Sequence, residues 1–219
     1  MAKYWLKYSK GEAIRFISHL DILRAFERSF RRGNIPVEYT QGFNKRPRLS
    51  FATPLSLGVT SDGEYVEIAL AEDLSEKELA DSLNDVLPEG LKINGAKKLS
   101  KKMPTLGSLV QAARFEVFTQ SEISSLNVTT FLDKKDVIIT RTSKRKTRDI
   151  NIRPLVFEIK QKSKGLSFLI AQGSEQNLRP SELLTSLDVT NYQLHKNETY
   201  FLYGENLVTP FQWLEKTEM

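Results

Sequence analysis

Residues 15–55, RFISHLDILRAFERSFRRGNIPVEYTQGFNKRPRLSFATPL, hold a helix, its stop and extended chain in one pass. Ser18 offers the short hydroxyl that accepts from a first-turn N–H, and Asp21 stands three residues on, where a capping box places an acid. Leu20, Leu23, Phe26 or Glu27, and Phe30 then recur every three to four residues, with Ile22 and Ala25 widening the stripe. That spacing predicts an amphipathic helix to about Arg32, stopped by Gly33. Residues 36–40 (PVEYT) and 48–52 (RLSFA) are rich in strand formers and predict short strands.

Working outward, 3–9 (KYWLKYS) predicts a strand before this helix. After it, 61–63 (SDG) predicts a turn and 64–71 (EYVEIALA) a cleanly alternating strand. Ser75 caps a second helix, SEKELADSLNDVL, which ends at Pro88–Gly90, and 91–99 (LKINGAKKL) closes the unit as a strand. Strand, helix, strands, helix, strand is the order of a split βαβ, ferredoxin-like unit, with two helices over one face of an antiparallel sheet. The chain between 41 and 62 is then an insertion or hairpin. Residues 100–108 (SKKMPTLGS), polar with Pro and Gly, predict a linker. Beyond it the cycle recurs: strand 114–119, a helix weakened by Val128, Thr129 and Thr130, strands around the basic turn 143–147, strand 166–172, a short helix opened by Pro180, and strand 199–204. The expected class is therefore α+β, with two ferredoxin-like halves, 1–99 and 109–219, joined by 100–108.

Composition narrows the functional classes. Apolar residues make up 40% of the 219, enough for a core and too many for a disordered chain. No apolar run approaches the ~18 residues of a membrane span, and MAKYWLKYSK lacks the apolar stretch of a signal peptide. The expected location is the cytoplasm, with no membrane contact. Without a cysteine there is no disulfide, thiolate zinc site or Fe–S cluster, and no cofactor or metal is expected. Asp62, Glu64 and Glu67 do not match a metal-site spacing, and no P-loop, dinucleotide fingerprint, nucleophile elbow or metalloprotease motif occurs.

The net charge of +5 is unevenly spread. Residues 1–52 carry 11 Lys/Arg against 4 Asp/Glu, and 53–96 carry 2 against 10. Residues 119–174 return to 11 against 5. Arg24, Arg28, Arg31 and Arg32 share a face of the first predicted helix, which can lie along phosphates or remain an ordinary solvated surface. The next loop interleaves Lys45, Arg46 and Arg48 with Phe43, basic groups beside a ring free to stack on a base. Lys144, Arg145, Lys146 and Arg148, with Arg141 and Arg153 nearby, form a second basic cluster, and Lys97, Lys98, Lys101 and Lys102 extend the surface between the halves. His19, at the first position of the helix, sits at the positive end of the dipole, which disfavours its protonated form. A neutral imidazole there suits a general base on a ribose hydroxyl, or simple packing.

The run from Ser-His-Leu-Asp at 18–21 through Gln-Gly-Phe-Asn at 41–44 and Arg-Leu-Ser-Phe-Ala-Thr-Pro-Leu-Ser-Leu-Gly at 48–58 to Gly-Glu-Tyr at 63–65 resembles the radical SAM-linked protein family. DINIRPLVFEI (149–159) and RPSELL (179–184) match weaker blocks of it. The resemblance implies a separate radical SAM protein as partner, since this chain lacks CxxxCxxC. A looser, fold-level similarity is to the ferredoxin-like RNA-binding and RNA-processing proteins of CRISPR systems. Together these give the expected function: an RNA-binding accessory module presenting a tRNA or rRNA to a radical SAM enzyme. The alternatives are a metal-independent endoribonuclease using His19, and a protein-recognition subunit for that enzyme or a ribosomal protein.

Overall fold

The computed structural model describes residues 2–119, 124–142 and 147–218. Strand β1 (Ala2–Lys10) leads to helix α1 (His19–Arg32), then β2 (Leu49–Phe51), β3 (Val59–Leu70), α2 (Glu76–Asn84) and β4 (Leu91–Lys98). The second half opens with the single turn α3 (Leu106–Leu109) and continues with β5 (Val110–Thr119), α4 (Ser125–Asp133), β6 (Ile138–Thr142), β7 (Thr147–Asn151), β8 (Val156–Lys162) and β9 (Gly165–Ala171). It ends with α5 (Pro180–Ser186), β10 (Tyr192–Tyr203), β11 (Asn206–Val208) and α6 (Pro210–Glu218).

Nine strands form one sheet, β4-β1-β3-β10-β5-β9-β8, with β2 beside β3 and β11 beside β10, while β6 and β7 pair separately as a hairpin. The order β4-β1-β3-β2 in the first half recurs as β10-β5-β9-β8 in the second. The molecule is thus mixed α+β with a large, mostly antiparallel sheet. The exception joins the halves: Leu194, His195 and Lys196 of β10 run parallel to Val59, Thr60 and Ser61 of β3.

Alternation along β1 and β3 sends Tyr4, Leu6, Tyr8, Val66, Ile68 and Leu70 to one face, where Ile22, Phe26 and Phe30 of α1 and Leu79 and Leu83 of α2 cover them. In the second half Phe115, Val117 and Phe168 meet Val128 and Phe131 of α4 and Leu183 and Leu184 of α5. On the opposite face Trp5, Tyr65 and Phe201 are covered by Leu106 of α3 and Leu214 of α6. Leu99 and Leu106 at the edges of 100–108 are buried, and Lys101 donates to the Thr217 carbonyl of α6. Among the described residues no helix is long and apolar enough to cross a membrane.

Three local expectations change. Residues 61–63 are not a turn but lie inside β3. Ser61 Oγ accepts from Gly63 N (3.1 Å) and shares its one proton between the Glu64 carboxylate (2.9 Å) and the Lys196 carbonyl (3.1 Å), so the polar triplet is used in joining β10. A Cβ on Gly63 would stand 2.3 Å from Glu198 Cα, so only glycine admits β10 this closely. Residues 36–40 form isolated bridges, Val37↔Leu70 and Tyr39↔Pro47, rather than a strand, because Pro36 removes one donor and Pro47 another. The buried stripe of α1 is Ile22, Phe26, Ser29 and Phe30; Leu20 is 62% exposed and Leu23 only partly buried. The stripe turns toward Ile22 because Ser18 fixes the first turn, its Oγ accepting from Asp21 N (3.2 Å).

Candidate nucleic-acid interface

α1 presents its arginines unequally. Arg24 is tied to Asp21 (3.2 Å), one turn earlier on an exposed surface. Arg32 is turned away to donate to the Val86 carbonyl beyond α2 and to Ser29 Oγ (3.3 Å), a structural use that offsets the unpaired carbonyls of a helix end. Arg28 and Arg31 are exposed, and their guanidinium groups form no ion pair among the described residues.

The helix leads through Gly33, Asn34 (φ 49°) and Pro36 into the basic loop. Thr40 N donates to the Arg46 carbonyl (2.8 Å), Arg46 N to Thr40 Oγ1 (3.1 Å) and Arg48 N to the Glu38 carbonyl (2.6 Å). Ala69 N donates to the Arg48 carbonyl (3.0 Å), so the loop is anchored at the Leu70 end of β3. Its tip turns at Gly42 (φ 119°), a conformation that side chains rarely adopt. Phe43 at that tip is fully exposed, and Lys45, Arg46 and Arg48 follow it in sequence and are exposed too. A ring held wholly in water on a hydrogen-bonded basic loop has the geometry that a stacking platform needs.

The second basic cluster is thinner than the sequence suggests. Arg141 is 15% exposed and grips Glu182 through Nε (2.8 Å), while Arg153 donates to the Leu132 and Val156 carbonyls, so both serve packing. Arg148, opposite Arg141 in the β6–β7 ladder, is exposed. Lys144, Arg145 and Lys146 lie outside the described residues. Lys97 and Lys98 pair with Glu76 (3.7 Å) and Asp73 (2.5 Å), Lys101 donates to the Thr217 carbonyl (2.8 Å), and Lys102 is exposed without an ion pair among the described residues.

His19 packs edge-on against Phe51 at 4.8 Å. Burial pushes its imidazole below the ordinary 6.5, and the Glu64 carboxylate pulls the other way. Burial is thus the leading cause of the shift. Tyr4 is committed to Leu74, donating to its carbonyl (2.7 Å) and accepting from its N–H (3.1 Å). Tyr8 is buried, its hydroxyl held protonated first by burial and then by Glu64, and Phe51 touches both Tyr8 and His19. No hydroxyl or second base is paired with His19 among the described residues.

The seam between the halves holds groups that sequence reading missed. Lys196 and Glu64 pair at 2.9 Å, each 1% exposed, with Ser61 Oγ donating to Glu64 (2.9 Å) and Thr53 Oγ1 3.3 Å from Lys196. Lys10 is buried beside them and donates to the Arg15 carbonyl (2.8 Å); desolvation lowers its pKa and Glu64 opposes that. The one available signal was a lysine in an apolar slot: Lys10 continues the Tyr4, Leu6, Tyr8 alternation. On the opposite face His195 bridges Thr60 Oγ1 (2.8 Å) and Asp62 (3.2 Å), a cross-strand contact set by the parallel pairing. No group of three or more His, Cys, Asp or Glu placed to hold a metal ion occurs among the described residues.

A family model described as an uncharacterised protein conserved in bacteria (DUF2344) matches residues 3–180. No curated protein matches the chain.

Proposed function

The chain belongs to this conserved bacterial family (DUF2344), and from that premise we propose that it is an RNA-binding accessory module. The observation that carries the reading is Phe43, an aromatic ring wholly in solvent at the tip of a loop that also bears Lys45, Arg46 and Arg48. Water disfavours such a ring, and a base stacked on it removes that cost. Arg28 and Arg31 supply charge for the backbone, and Arg148 with Lys102 extend it. Each half is read as a ferredoxin-like unit, supported by the shared strand order, with 100–108 as the connection. The RNA, a tRNA or rRNA, is presented in the cytoplasm to a separate radical SAM enzyme; this part rests on the resemblance of 18–65 to the radical SAM-linked family. The reading of His19 as a nuclease base is weaker, because the ring is packed on Phe51 and pairs with no hydroxyl among the described residues.

The test is fluorescence anisotropy with a labelled single-stranded RNA. Phe43→Ala should cost about 1–3 kcal/mol of binding while leaving the unfolding midpoint unchanged. Unaltered affinity in that variant would remove the loop from the site. Cleavage of the RNA in EDTA, lost in His19→Ala, would replace the module by an endoribonuclease.

A further inference from the structure

A cleft of about 520 Å³ opens between the halves, on the sheet face that carries α1 and α5, at the Val59 end of β3. The basic loop is fixed at the Leu70 end of the same strand. Twelve residues of β3 therefore separate them, on the order of 35 Å at about 3.3 Å per residue, so the cleft is a different place from the loop.

Its walls are unlike the basic loop. Gly58 N donates to the Arg15 carbonyl (2.9 Å), and this bond, with Gly58 at φ 77°, folds 56–58 against Phe16. The Phe16 ring is 70% exposed and Leu57 beside it is 62% exposed. The Arg15 guanidinium lies 4.6 Å from the Phe16 ring centre and is held by Glu12 (3.0 Å), which fixes the ring's setting. Across the cleft, Gln172 is only 9% exposed, yet its side-chain Oε1 is buried with no hydrogen-bond partner among the described residues. An unpaired buried acceptor costs about 1–3 kcal/mol, a cost that a donor entering the cleft would remove once the amide turns toward it. Arg179, exposed at the rim, adds positive charge.

An aromatic wall, an amide acceptor lacking a donor and a cation at the mouth make complementary contacts with one chemical class. We propose that the cleft binds a single unstacked nucleobase of an RNA strand, with the ring against Phe16, an amino edge on Gln172 and the phosphate toward Arg179. A glutamine meets adenine in this way, its carbonyl accepting from the amino group and its amide N–H donating to a ring nitrogen. The inference rests on the RNA reading and deepens it: the loop holds the strand, and the cleft reads one base.

Mononucleotides test the cleft alone. AMP at millimolar concentration, titrated into the whole chain, should shift the amide NMR resonances of Gly58 and Gln172, whereas ribose 5-phosphate, which lacks the base, should not. Phe16→Ala and Gln172→Met should each weaken AMP at least about five-fold, the lower end of what one base contact is worth. Phe16 is exposed, so Phe16→Ala should keep the wild-type unfolding midpoint, and Gln172→Met, which matches Gln in length and removes the unpaired acceptor, should hold or raise it. Equal shifts with AMP and ribose 5-phosphate would mean phosphate capture and overturn the base site. Unmoved cleft amides, or unchanged AMP affinity in both variants, would overturn it too, even with labelled RNA still bound at the loop. AMP bound in the cleft while labelled RNA fails to bind would uphold the base site and sink the RNA reading alone.

Discussion

At Glu64 one carboxylate serves two buried lysines. It pairs directly with Lys196 at 2.9 Å and acts on Lys10, which is also fully buried. Removing one partner of a buried pair costs roughly 3–5 kcal/mol, because the other charge is left without compensation. The two deletions are not equivalent here. Glu64→Gln strands two ammonium groups, while Lys196→Met leaves Glu64 facing Lys10. Urea unfolding should therefore show Glu64→Gln as the more destabilised of the two. Equal losses would mean that Lys10 is not part of the cluster. His19 gives the pH dependence. Its folded pKa lies below 6.5, so the folded state binds fewer protons than the unfolded one once pH drops under that value. Its contribution to stability is complete above about 6.5 and is lost as pH falls through the folded pKa. In His19→Phe the fall in unfolding free energy from neutral pH to below the folded pKa should be shallower than in the wild type. An identical fall would assign the acid sensitivity to other groups.

Elements show where local reading holds. On α1, Phe30 is 1% exposed, and Phe30→Ala should cost about 3–5 kcal/mol by chemical denaturation. Leu20, in the predicted stripe but 62% exposed, should change stability by less than ~0.5 kcal/mol on replacement by Ala. A loss at Leu20 comparable to that at Phe30 would mean that the helix sits rotated about its axis. The starts of α1 and α2 were legible because Ser18 and Ser75 act within a single turn, and β1 and the later part of β3 because alternation is local; α2 stops at Asn84, short of the Pro88–Gly90 end that the sequence suggested. The joint between the halves was not legible. It pairs residues 135 positions apart, and a parallel pairing leaves no turn in the sequence to announce it. For the same reason SDG read as a turn when it lies inside a strand. Gly63→Ala probes that joint: with Glu198 Cα 2.3 Å from the new carbon, backbone rather than side chain must move. The cost should reach or exceed the upper end of the ~1–3 kcal/mol typical of overpacking. Near-neutral behaviour in thermal melts would show that β10 can shift freely along β3.

Across the whole molecule, the uneven charge was visible in the sequence, but which charges remain available was not. Arg24, Arg32, Arg141 and Arg153 all have partners, and three of those partnerships join segments distant in sequence. On α1, Arg28 and Arg31 form no ion pair among the described residues, and a basic loop with an exposed ring follows the helix. Such residues do not help the chain to fold: like charges near one another on a helix cost a few tenths of a kcal/mol, and α2 carries acidic residues in their place. The proposed partner, an anionic strand, would account for both the charges and the ring. Each arginine set on a phosphate of single-stranded RNA contributes about 0.7 to the slope of log K against log salt. The most direct measurement is that slope, from fluorescence anisotropy of a labelled single strand with the wild type, Arg28→Gln/Arg31→Gln and Phe43→Ala. The account predicts a slope about 1.4 units shallower in the double variant, with weaker binding to every sequence, and an unchanged slope with lost affinity in Phe43→Ala. A wild-type slope in the double variant, or no RNA bound by the wild type at low salt, would contradict it.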